Sequence, residues 1–223
     1  MAYDFDTIAA NYDRMNRLMT LGLDRRWRRR AVRGLQGKVL DVACGTGDMM
    51  VSLAEQGCIV TGVDISEEMM AIAKRKVESG KWKVVDVESL PFEDNTFDAV
   101  TCAFGVRNFV HLEQGLSEML RVLRPGGTMV ILELATPDSP LLRPFYNFYT
   151  QRVIPWLGQH LAGNRAAYTY LPKSIERFPK GDAFLRILNN LHYDTILNHH
   201  KLTFGVCRLY VVQKMMKNKE AAG

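Results

Sequence analysis

The chain has 223 residues, of which 47% are hydrophobic and 24% are charged, and its formal net charge is +5. This composition is typical of an ordinary globular protein, and we expect residues 1–223 to form a single domain with a full core. No run of about 18 apolar residues predicts a membrane span, and the acidic opening segment is not typical of a signal peptide. The four cysteines have no paired spacing, which predicts reduced thiols in a cytosolic protein and no metal centre.

Residues 1–36 are predicted to form N-terminal helices. An apolar stripe at helical spacing predicts an amphipathic helix over residues 5–20. A second helix places Leu23 and Trp27 on one face, with Asp24 as its expected N-cap. Its five arginines suit a surface for nucleic acid or anionic lipid, but they also suit a solvated helix face. We favour the solvated face, because no nucleic-acid-binding fold pattern accompanies the arginines.

The stretch Lys38–Asp48 is the organising motif of the sequence. Its apolar residues precede a turn with Gly45 and Gly47, and a helical pattern follows, which predicts a strand, a loop and a helix. Because glycine lacks a Cβ atom, the backbone of such a loop can pass close to a bound ligand. A second predicted strand, Cys58–Val63, leads to Asp64, an acid about 20 residues beyond the turn and placed to bind both hydroxyl groups of a ribose. The sequence therefore predicts a nucleotide-binding α/β domain.

The residues that the glycine loop lacks narrow the class of ligand. The dinucleotide fingerprint G-x-G-x-x-G/A requires a third small residue, and this loop has Met50 at that position. The loop also contains two acids, Asp41 and Asp48, and no lysine or arginine. These acids repel a pyrophosphate but attract a ligand that carries an amino group and a sulfonium cation. A cationic adenosine therefore fits the loop better than NAD does, which disfavours a nucleotide-binding oxidoreductase.

Strands and helices continue to alternate after the glycine loop. The predicted elements are, in chain order, a helix over Asp48–Gln56, a helix capped by Ser66, a strand over Lys83–Val87, a strand over Phe97–Cys102, a helix over Leu112–Leu123 stopped by Pro125-Gly126-Gly127, and a strand over Thr128–Leu134. Such alternation predicts a parallel sheet that binds its ligand at the carboxyl ends of the strands. We therefore expect Asp86 and Arg107 to lie near Asp41 and Asp64.

The remainder of the chain departs from this alternation. Prolines and aromatic residues crowd into the stretch after strand five, and we expect residues 137–180 to form a helical substrate lid with breaks. The lid is either an ordinary packed element or the wall of an apolar substrate pocket in contact with a membrane surface, and both alternatives stay open. The tail predicts a helix over Gly181–Leu191 and two strands, Asp194–Asn198 and Cys207–Gln213, that close the sheet as an antiparallel pair.

Several motifs carry a resemblance to known families. The loop D-V-A-C-G-T-G-D, followed by V-T-G-V-D-I-S, resembles the cofactor loop of class I S-adenosylmethionine (SAM) methyltransferases. Further stretches resemble the ubiquinone/menaquinone biosynthesis C-methyltransferases over nearly the whole chain: Tyr12–Asn16 with Arg26-Trp27, Phe104–Asn108, Arg121–Gly127 continuing to Glu133, and Tyr168–Ile175. The departures are Asp24-Arg25 in place of a His-Arg pair, Thr20 in place of a serine, Arg124 in place of a lysine, and Ala103 where some members have a serine near the cofactor.

The resemblance implies the α/β fold of class I SAM-dependent methyltransferases. That fold is a Rossmann-like, seven-stranded, mostly parallel sheet with an antiparallel closing strand, here with N-terminal helices and a helical insert after strand five. The implied cofactor is SAM, and Asp86 is the residue implied to hold its adenine amino group. The implied cofactor-binding residues are Asp41, Gly45, Thr46, Gly47, Asp64, Ile65, Met69, Asp86, Val87 and Ala103.

The resemblance also implies methylation of a polyprenylated quinol. The substrate is demethylmenaquinol, which becomes menaquinol, or the polyprenyl-methoxy-benzoquinol precursor of ubiquinol, or both. A methyltransferase of another lipid or small phenol is the alternative, and a non-enzymatic SAM-binding protein is a third reading. Besides the quinol, the expected partner is a membrane. The protein is expected to be cytoplasmic and to contact the inner face of this membrane peripherally. Nucleic acid is not expected, and a homodimer is left open.

Methylation of an aromatic carbon requires an electron-rich ring, which ionisation of a quinol hydroxyl provides. A phenol has a pKa of about 10, so its ionisation at pH 7 costs roughly 4 kcal/mol. Arg107 is the candidate for stabilising the phenolate. A water held by Arg107 and Asn108, or Tyr12, is the candidate proton acceptor, and these three residues form the predicted catalytic group. A structural salt bridge is the alternative for Arg107, and a core position is the alternative for Tyr12.

Overall fold

The computed structural model describes residues 5–162, 165–191 and 193–216. Its strands are β1 (Lys38–Val42), β2 (Ile59–Asp64), β3 (Lys81–Val84), β4 (Phe97–Ala103), β5 (Leu123–Leu134), β6 (Thr195–Leu202) and β7 (Cys207–Lys214). Its α-helices are α1 (Tyr12–Met19), α2 (Leu23–Ala31), α3 (Asp48–Ala54), α4 (Glu67–Lys76), α5 (Leu112–Val122), α6 (Arg143–Phe148), α7 (Ile154–Ala162), α8 (Arg165–Arg177) and α9 (Asp182–Asn189).

The strands form one seven-stranded sheet in the order β3-β2-β1-β4-β5-β7-β6. β1 to β5 pair with their neighbours in parallel, whereas β7 is antiparallel to both β5 and β6. This topology confirms the predicted mostly parallel sheet with an antiparallel closing strand. β1 lies between β2 and β4, where the strand order reverses, so the loops after these strands open into one crevice.

Apolar side chains cover both faces of the sheet. On one face, α2 and α3 contribute Trp27, Met50 and Leu53 to a buried cluster. On the other face, α5 and α9 contribute residues such as Leu116 and Phe184. The helices that follow the strands thus bury their apolar stripes against the sheet, as amphipathic crossover helices do.

The N-terminal segment packs over the carboxyl edge of the sheet. A 3-10 turn over Asp6–Asn11 precedes α1, so residues 5–20 form two short elements where the sequence predicted one helix. Their apolar stripe is buried as expected, because Ile8 and Met15 pack in a cluster with residues of α4, α7 and α8. This cluster fastens the segment to the insert.

Three predicted strands have boundaries that were wrong. β6 ends at Leu202, beyond the predicted end at Asn198. β3 covers Lys81–Val84 and ends before Asp86, which lies in the loop that follows the strand. α5 ends at Val122, and the Pro125-Gly126-Gly127 stretch lies inside β5, beside an irregularity in its pairing with β4. Gly126 has φ +78°, a left-handed conformation that lets the chain bend at the start of this strand.

The insert after β5 consists of helices with breaks, as predicted. α6 runs into a π-helical turn over Tyr149–Val153, which leads directly into α7. α8 follows and contains Pro172. No helix within the described ranges is both long and apolar enough to cross a bilayer.

Candidate active site

A pocket of about 850 Å³ lies at the carboxyl edge of the parallel strands, and we call it the cofactor pocket. Seven predicted cofactor residues line it: Gly45, Asp64, Ile65, Met69, Asp86, Val87 and Ala103. Phe5, Tyr12, Phe104 and Asn108 are also among its lining residues. The structure therefore brings together residues of the loops after β1, β2, β3 and β4, as expected for an open parallel sheet.

Asp64 connects the glycine loop to the start of α4. Its Oδ2 accepts a hydrogen bond from the Gly45 N–H at 2.7 Å, and its Oδ1 accepts one from the Ser66 N–H at 2.9 Å. Burial raises the pKa of Asp64, and these backbone hydrogen bonds partly offset that effect. The carboxylate thus holds the loop in shape while it faces the pocket.

Asp86 lies beyond β3 and begins a 3-10 turn over Val87–Ser89. Its Oδ1 accepts a hydrogen bond from the Glu88 N–H at 2.9 Å. The other carboxylate oxygen is therefore available to a donor in the pocket, and an exocyclic amino group is such a donor.

A small polar pocket of about 300 Å³ adjoins the glycine loop, and Tyr12, Asp41, Thr46 and Asp48 are among its lining residues. Asp41 is fully buried, and its Oδ1 accepts a hydrogen bond from the Thr101 hydroxyl at 2.6 Å. Its Oδ2 has no hydrogen-bond partner within the described residues. Burial raises the pKa of Asp41 to about 7, although Thr101 and Arg28 lower it. A cationic ligand group would satisfy this oxygen.

Arg28 is the residue of the small polar pocket that sequence reasoning missed. Arg25, Arg26, Arg29 and Arg30 are exposed, in agreement with a solvated helix face, but Arg28 is only 5% exposed. Its guanidinium lies 5.0 Å from the centre of the Phe104 ring. Its Nε has no hydrogen-bond partner within the described part of the chain. A positively charged donor thus lines the same pocket as the Asp41 carboxylate.

The expected N-cap role of Asp24 was wrong. Gly22, with φ +74°, is the N-cap of α2, and Asp24 lies in the first helical turn. There its Oδ2 forms a buried salt bridge with Arg28 Nη1 at 2.7 Å, and its Oδ1 accepts a hydrogen bond from the Thr20 hydroxyl at 2.9 Å. The spacing of four residues between Asp24 and Arg28, beside the buried Trp27, is the sequence signal that could have revealed the pair.

The N-terminal segment closes over the cofactor pocket through polar contacts. Asp13 accepts a hydrogen bond from the Thr46 hydroxyl at 2.5 Å and forms a salt bridge with Lys76. Lys76 also binds Asp48 at 2.6 Å. Burial raises the pKa of Asp48, but Lys76 and nearby arginines more than offset this effect, so the pKa is lowered. Asp48 is therefore already compensated by Lys76, whereas the sequence suggested that it would attract a cationic ligand.

Gly47 has a different role from that of the other glycine in the loop. It is absent from the residues that line the pockets described above. Its φ is +82°, and an added Cβ atom would lie 3.0 Å from the Cβ of Ala73 in α4. Gly47 therefore allows close packing between the loop and α4.

A second, mostly apolar pocket of about 1000 Å³ lies between the N-terminal helices and the insert, and we call it the apolar pocket. Its aromatic lining includes Tyr12, Trp27, Phe104, Tyr146 and Tyr149, and its charged lining residues are Asp24 and Arg107. Tyr12 and Phe104 also line the cofactor pocket. The two pockets are thus neighbours with a shared wall.

Arg107 forms the buried salt bridge that the sequence left as an alternative. Its Nη1 binds Glu133 Oε1 at 2.6 Å, and the side chains of Arg107 and Glu133 are 6% and 1% exposed. Arg107 also donates from Nε to the Ser174 hydroxyl at 3.3 Å and from Nη1 to the Phe104 carbonyl at 2.5 Å. Burial lowers the pKa of Arg107, but Glu133 and nearby tyrosines more than offset this, so the pKa is raised.

Of the other two predicted catalytic residues, Asn108 lines a different pocket from Arg107, whereas Tyr12 shares a pocket with each of them. Asn108 lines the cofactor pocket, where its Oδ1 accepts a hydrogen bond from the Tyr170 hydroxyl at 3.1 Å, whereas Arg107 lines the apolar pocket. A water shared by Arg107 and Asn108 is therefore not favoured by this arrangement. Tyr12 borders the cofactor pocket, the small polar pocket and the apolar pocket.

The fold and the site define the class of the protein, a class I SAM-dependent methyltransferase. Among solved structures, a SAM-dependent methyltransferase from Thermotoga maritima is similar over 94% of this chain and 97% of its own, with a TM-score of 0.67 and 18% identity. The [4+2]-cyclase SpnF is similar over 90% of this chain and 82% of its own, with a TM-score of 0.61 and 19% identity. At such identities the likeness shows the fold alone, and the cyclase illustrates that one fold hosts different reactions.

The family is established by sequence comparison. Residues 2–214 match the ubiE/COQ5 methyltransferase family, to which the chain therefore belongs. It is 44% identical to the ubiquinone/menaquinone biosynthesis C-methyltransferase UbiE of Geobacter sulfurreducens, covering 96% of this chain and 88% of the relative. It is 42% identical to the demethylmenaquinone methyltransferase of Bacteroides fragilis, covering 94% of this chain and 90% of the relative. These matches confirm the resemblance seen in the motifs.

The salt bridge between Arg107 and Glu133 predicts a large loss of stability when one partner is removed. Arg107→Met should lower the free energy of unfolding by about 3–5 kcal/mol, because the buried Glu133 carboxylate loses its counter-charge. Urea denaturation followed by circular dichroism measures this change. The matched control is Arg124→Met, which breaks a more exposed pair with Asp98 and should cost less than about 1 kcal/mol. Equal losses in the two variants would contradict a special role for the buried pair.

Proposed function

We propose that this protein transfers the methyl group of SAM to a ring carbon of a polyprenylated quinol, converting demethylmenaquinol to menaquinol. The observation that carries the proposal is the shared wall of Tyr12 and Phe104 between a polar pocket at the sheet edge and an aromatic-lined apolar pocket. A methyl donor and a flat apolar ring bound in these pockets would be adjacent. The names of the Geobacter and Bacteroides relatives support a substrate of quinone biosynthesis. The benzoquinol precursor of ubiquinol has the same type of ring and is a second candidate substrate.

Two buried polar atoms support SAM as the ligand of this site. Asp41 and Arg28 line the small polar pocket, and Asp41 Oδ2 and Arg28 Nε each lack a hydrogen-bond partner within the described residues. An amino acid group carries an ammonium and a carboxylate, which complement these two atoms. Asp64 and Asp86 would hold the ribose hydroxyls and the adenine amino group at the other end of the site. When bound, SAM supplies an electrophilic methyl group.

The proposed role of Arg28 can be tested by comparing ligands with and without a carboxylate. Arg28→Gln should weaken binding of S-adenosylhomocysteine by roughly 10–100-fold, because a hydrogen bond to a charged group contributes about 1.5–3 kcal/mol. Binding of 5′-methylthioadenosine, which lacks the carboxylate, should change by less than threefold. Isothermal titration calorimetry measures both affinities, with the exposed Arg29→Gln as control. If the affinities for both ligands fell equally, Arg28 would act only through the shape of the site.

The residues of the apolar pocket have separate tasks in this proposal. Tyr12 and Phe104 position the ring against the cofactor pocket and exclude water from the gap. Arg107 places a positive charge beside the ring oxygen as negative charge develops there. Because Glu133 already compensates Arg107, the field at the ring is weaker than that of an unpaired arginine. We propose that residues 137–180 act as the substrate lid, because Tyr146, Tyr149 and Leu171 of this segment line the pocket.

The reaction itself is tested with a labelled methyl group. The purified chain should transfer radiolabelled methyl from SAM to demethylmenaquinol, and much more slowly to a simple phenol that lacks a second fused ring and a tail. Leu171→Trp, which narrows the apolar pocket, should raise the KM for the quinol while S-adenosylhomocysteine affinity stays within threefold. Transfer to the simple phenol but not to any prenylated quinol would favour the alternative, a methyltransferase of another small phenol.

We also propose that the mouth of the apolar pocket contacts a membrane surface. Leu21 lines this pocket and is 78% exposed, Phe204 follows the lining residue Thr203, and Phe145 precedes the lining residue Tyr146. With Phe148, these exposed apolar side chains form what we call the apolar rim. The exposed arginines of α2 would add attraction to anionic lipid. A quinol with a long prenyl tail resides in the bilayer, so a rim of this kind would let it enter without crossing water.

Vesicle binding tests the rim. The double variant Phe145→Ser/Phe148→Ser should reduce cosedimentation with phosphatidylglycerol vesicles by roughly tenfold or more, because insertion of each apolar side chain contributes up to about 1.5–3 kcal/mol. The control is Ile59→Ser, an exposed apolar residue at the opposite edge of the sheet. Binding should also weaken as salt rises, because charges are screened within about 10 Å at 0.1 M. Absence of binding at low salt would refute membrane contact.

A further inference from the structure

Asp24 is a buried carboxylate on the wall of the apolar pocket. It is 1% exposed, and it is the only carboxyl side chain among the described residues that line this pocket. Burying a carboxylate beside apolar side chains is costly unless partners compensate it. Thr20 and Arg28 supply one contact each, one to Oδ1 and one to Oδ2. A carboxylate has about four acceptor positions, so these two contacts leave acceptor capacity on each oxygen.

The other groups that face this part of the pocket are poorer proton acceptors. Arg107 on the loop after β4 is a cation with a raised pKa, and it offers no acceptor. Burial raises the pKa of Tyr146 to about 12, although Arg107 lowers it, so the phenol stays protonated. Burial also raises the pKa of Tyr149, whose hydroxyl donates to the Met19 carbonyl. Tyr12 of α1 also lines the pocket, and a phenol oxygen is a weaker proton acceptor than a carboxylate oxygen.

We propose that Asp24 accepts the hydroxyl proton of the quinol. The inference rests on the proposed function and names the base that this function requires. In this arrangement Asp24 and Arg107 are the two charged lining residues of one pocket, a base and a cation for the same ring oxygen. Arg28 and Thr20 position the carboxylate, since they hold one oxygen each.

The proton balance of the step is simple. The O–H bond of the quinol breaks, its proton moves to a carboxylate oxygen of Asp24, and the electron pair stays on the ring oxygen. The ring carbon, now richer in electrons, would form its bond to the methyl group as the bond between that methyl group and the sulfur of SAM breaks, with its electron pair left on the departing S-adenosylhomocysteine. The proton on that carbon would then pass through water to the ring oxygen, which restores the hydroxyl. Asp24 finally gives its proton to water, so each turnover releases one proton.

Asp24→Asn keeps the shape of the side chain but removes the base. With demethylmenaquinol, kcat should fall by roughly 10²–10⁴-fold, the usual contribution of a general base. The KM for the quinol and the affinity for S-adenosylhomocysteine should change by less than about fivefold. The loss should shrink along a series of ring-substituted quinols of lower pKa, because solvent then supplies more of the ionised ring. An equal loss with every quinol, together with weaker S-adenosylhomocysteine binding, would show that Asp24 only positions Arg28.

Two further variants keep the test decisive if Asp24→Asn is unstable. Asp24→His installs a base with an ordinary pKa of about 6.5, so the fall of kcat at low pH should move toward that value and differ from the profile of the wild-type protein. Thr20→Val removes a positioning hydrogen bond but leaves the base, and should lower kcat far less than Asp24→Asn does.

The outcomes separate the two proposals. A wild-type pH profile in Asp24→His, or full kcat in Asp24→Asn, would overturn the role of Asp24 while quinol methylation stands. A wild-type protein that methylates no quinol would overturn the proposed function and this role with it.

Discussion

The buried salt bridge between Arg107 and Glu133 is the contact on which the arrangement of the site depends. Glu133 lies near the end of β5 and also accepts hydrogen bonds from the Arg107 and Leu134 N–H groups. Arg107 in turn binds the Phe104 carbonyl and the Ser174 hydroxyl of α8. Because an uncompensated charge is so costly in a dry interior, the sheet edge, the loop after β4 and the insert are held as one unit. Phe104, with φ +61°, is held by that loop at the wall between the pockets.

The shared wall explains why one chain can serve two chemically different ligands. The cofactor side is built from backbone amides and carboxylates at strand ends, where an open parallel sheet leaves them. The apolar side is built from the N-terminal helices and the insert, which lie outside the sheet. Asp24 and Arg28, four residues apart on α2, face the two sides respectively and are joined by a buried ion pair. This ion pair therefore connects the walls of the two pockets.

The parts of the site that follow local sequence rules could be predicted, and the parts that depend on tertiary packing could not. A glycine turn after an apolar strand, with an acid after the next strand, locates Asp64 and Gly45 from spacing alone. The spacing of four residues could have indicated the ion pair of Arg28 with Asp24, but the burial of Arg28 beside the glycine loop could not be read from spacing, because it depends on how α2 docks. Likewise, the Glu133 partner of Arg107 is 26 residues away and becomes adjacent only through the pairing of β4 with β5.

The exposed apolar rim has a consequence for how strongly the protein would constrain the length of the isoprenoid tail. In the proposed binding mode the ring occupies the apolar pocket, and Leu21, which lines this pocket, is largely exposed, so a long isoprenoid chain would lie outside the protein and in the bilayer. Recognition would then depend on the ring and hardly at all on the number of isoprene units. A lineage could lengthen or shorten the isoprenoid made by its prenyl synthase without any compensating substitution in this methyltransferase.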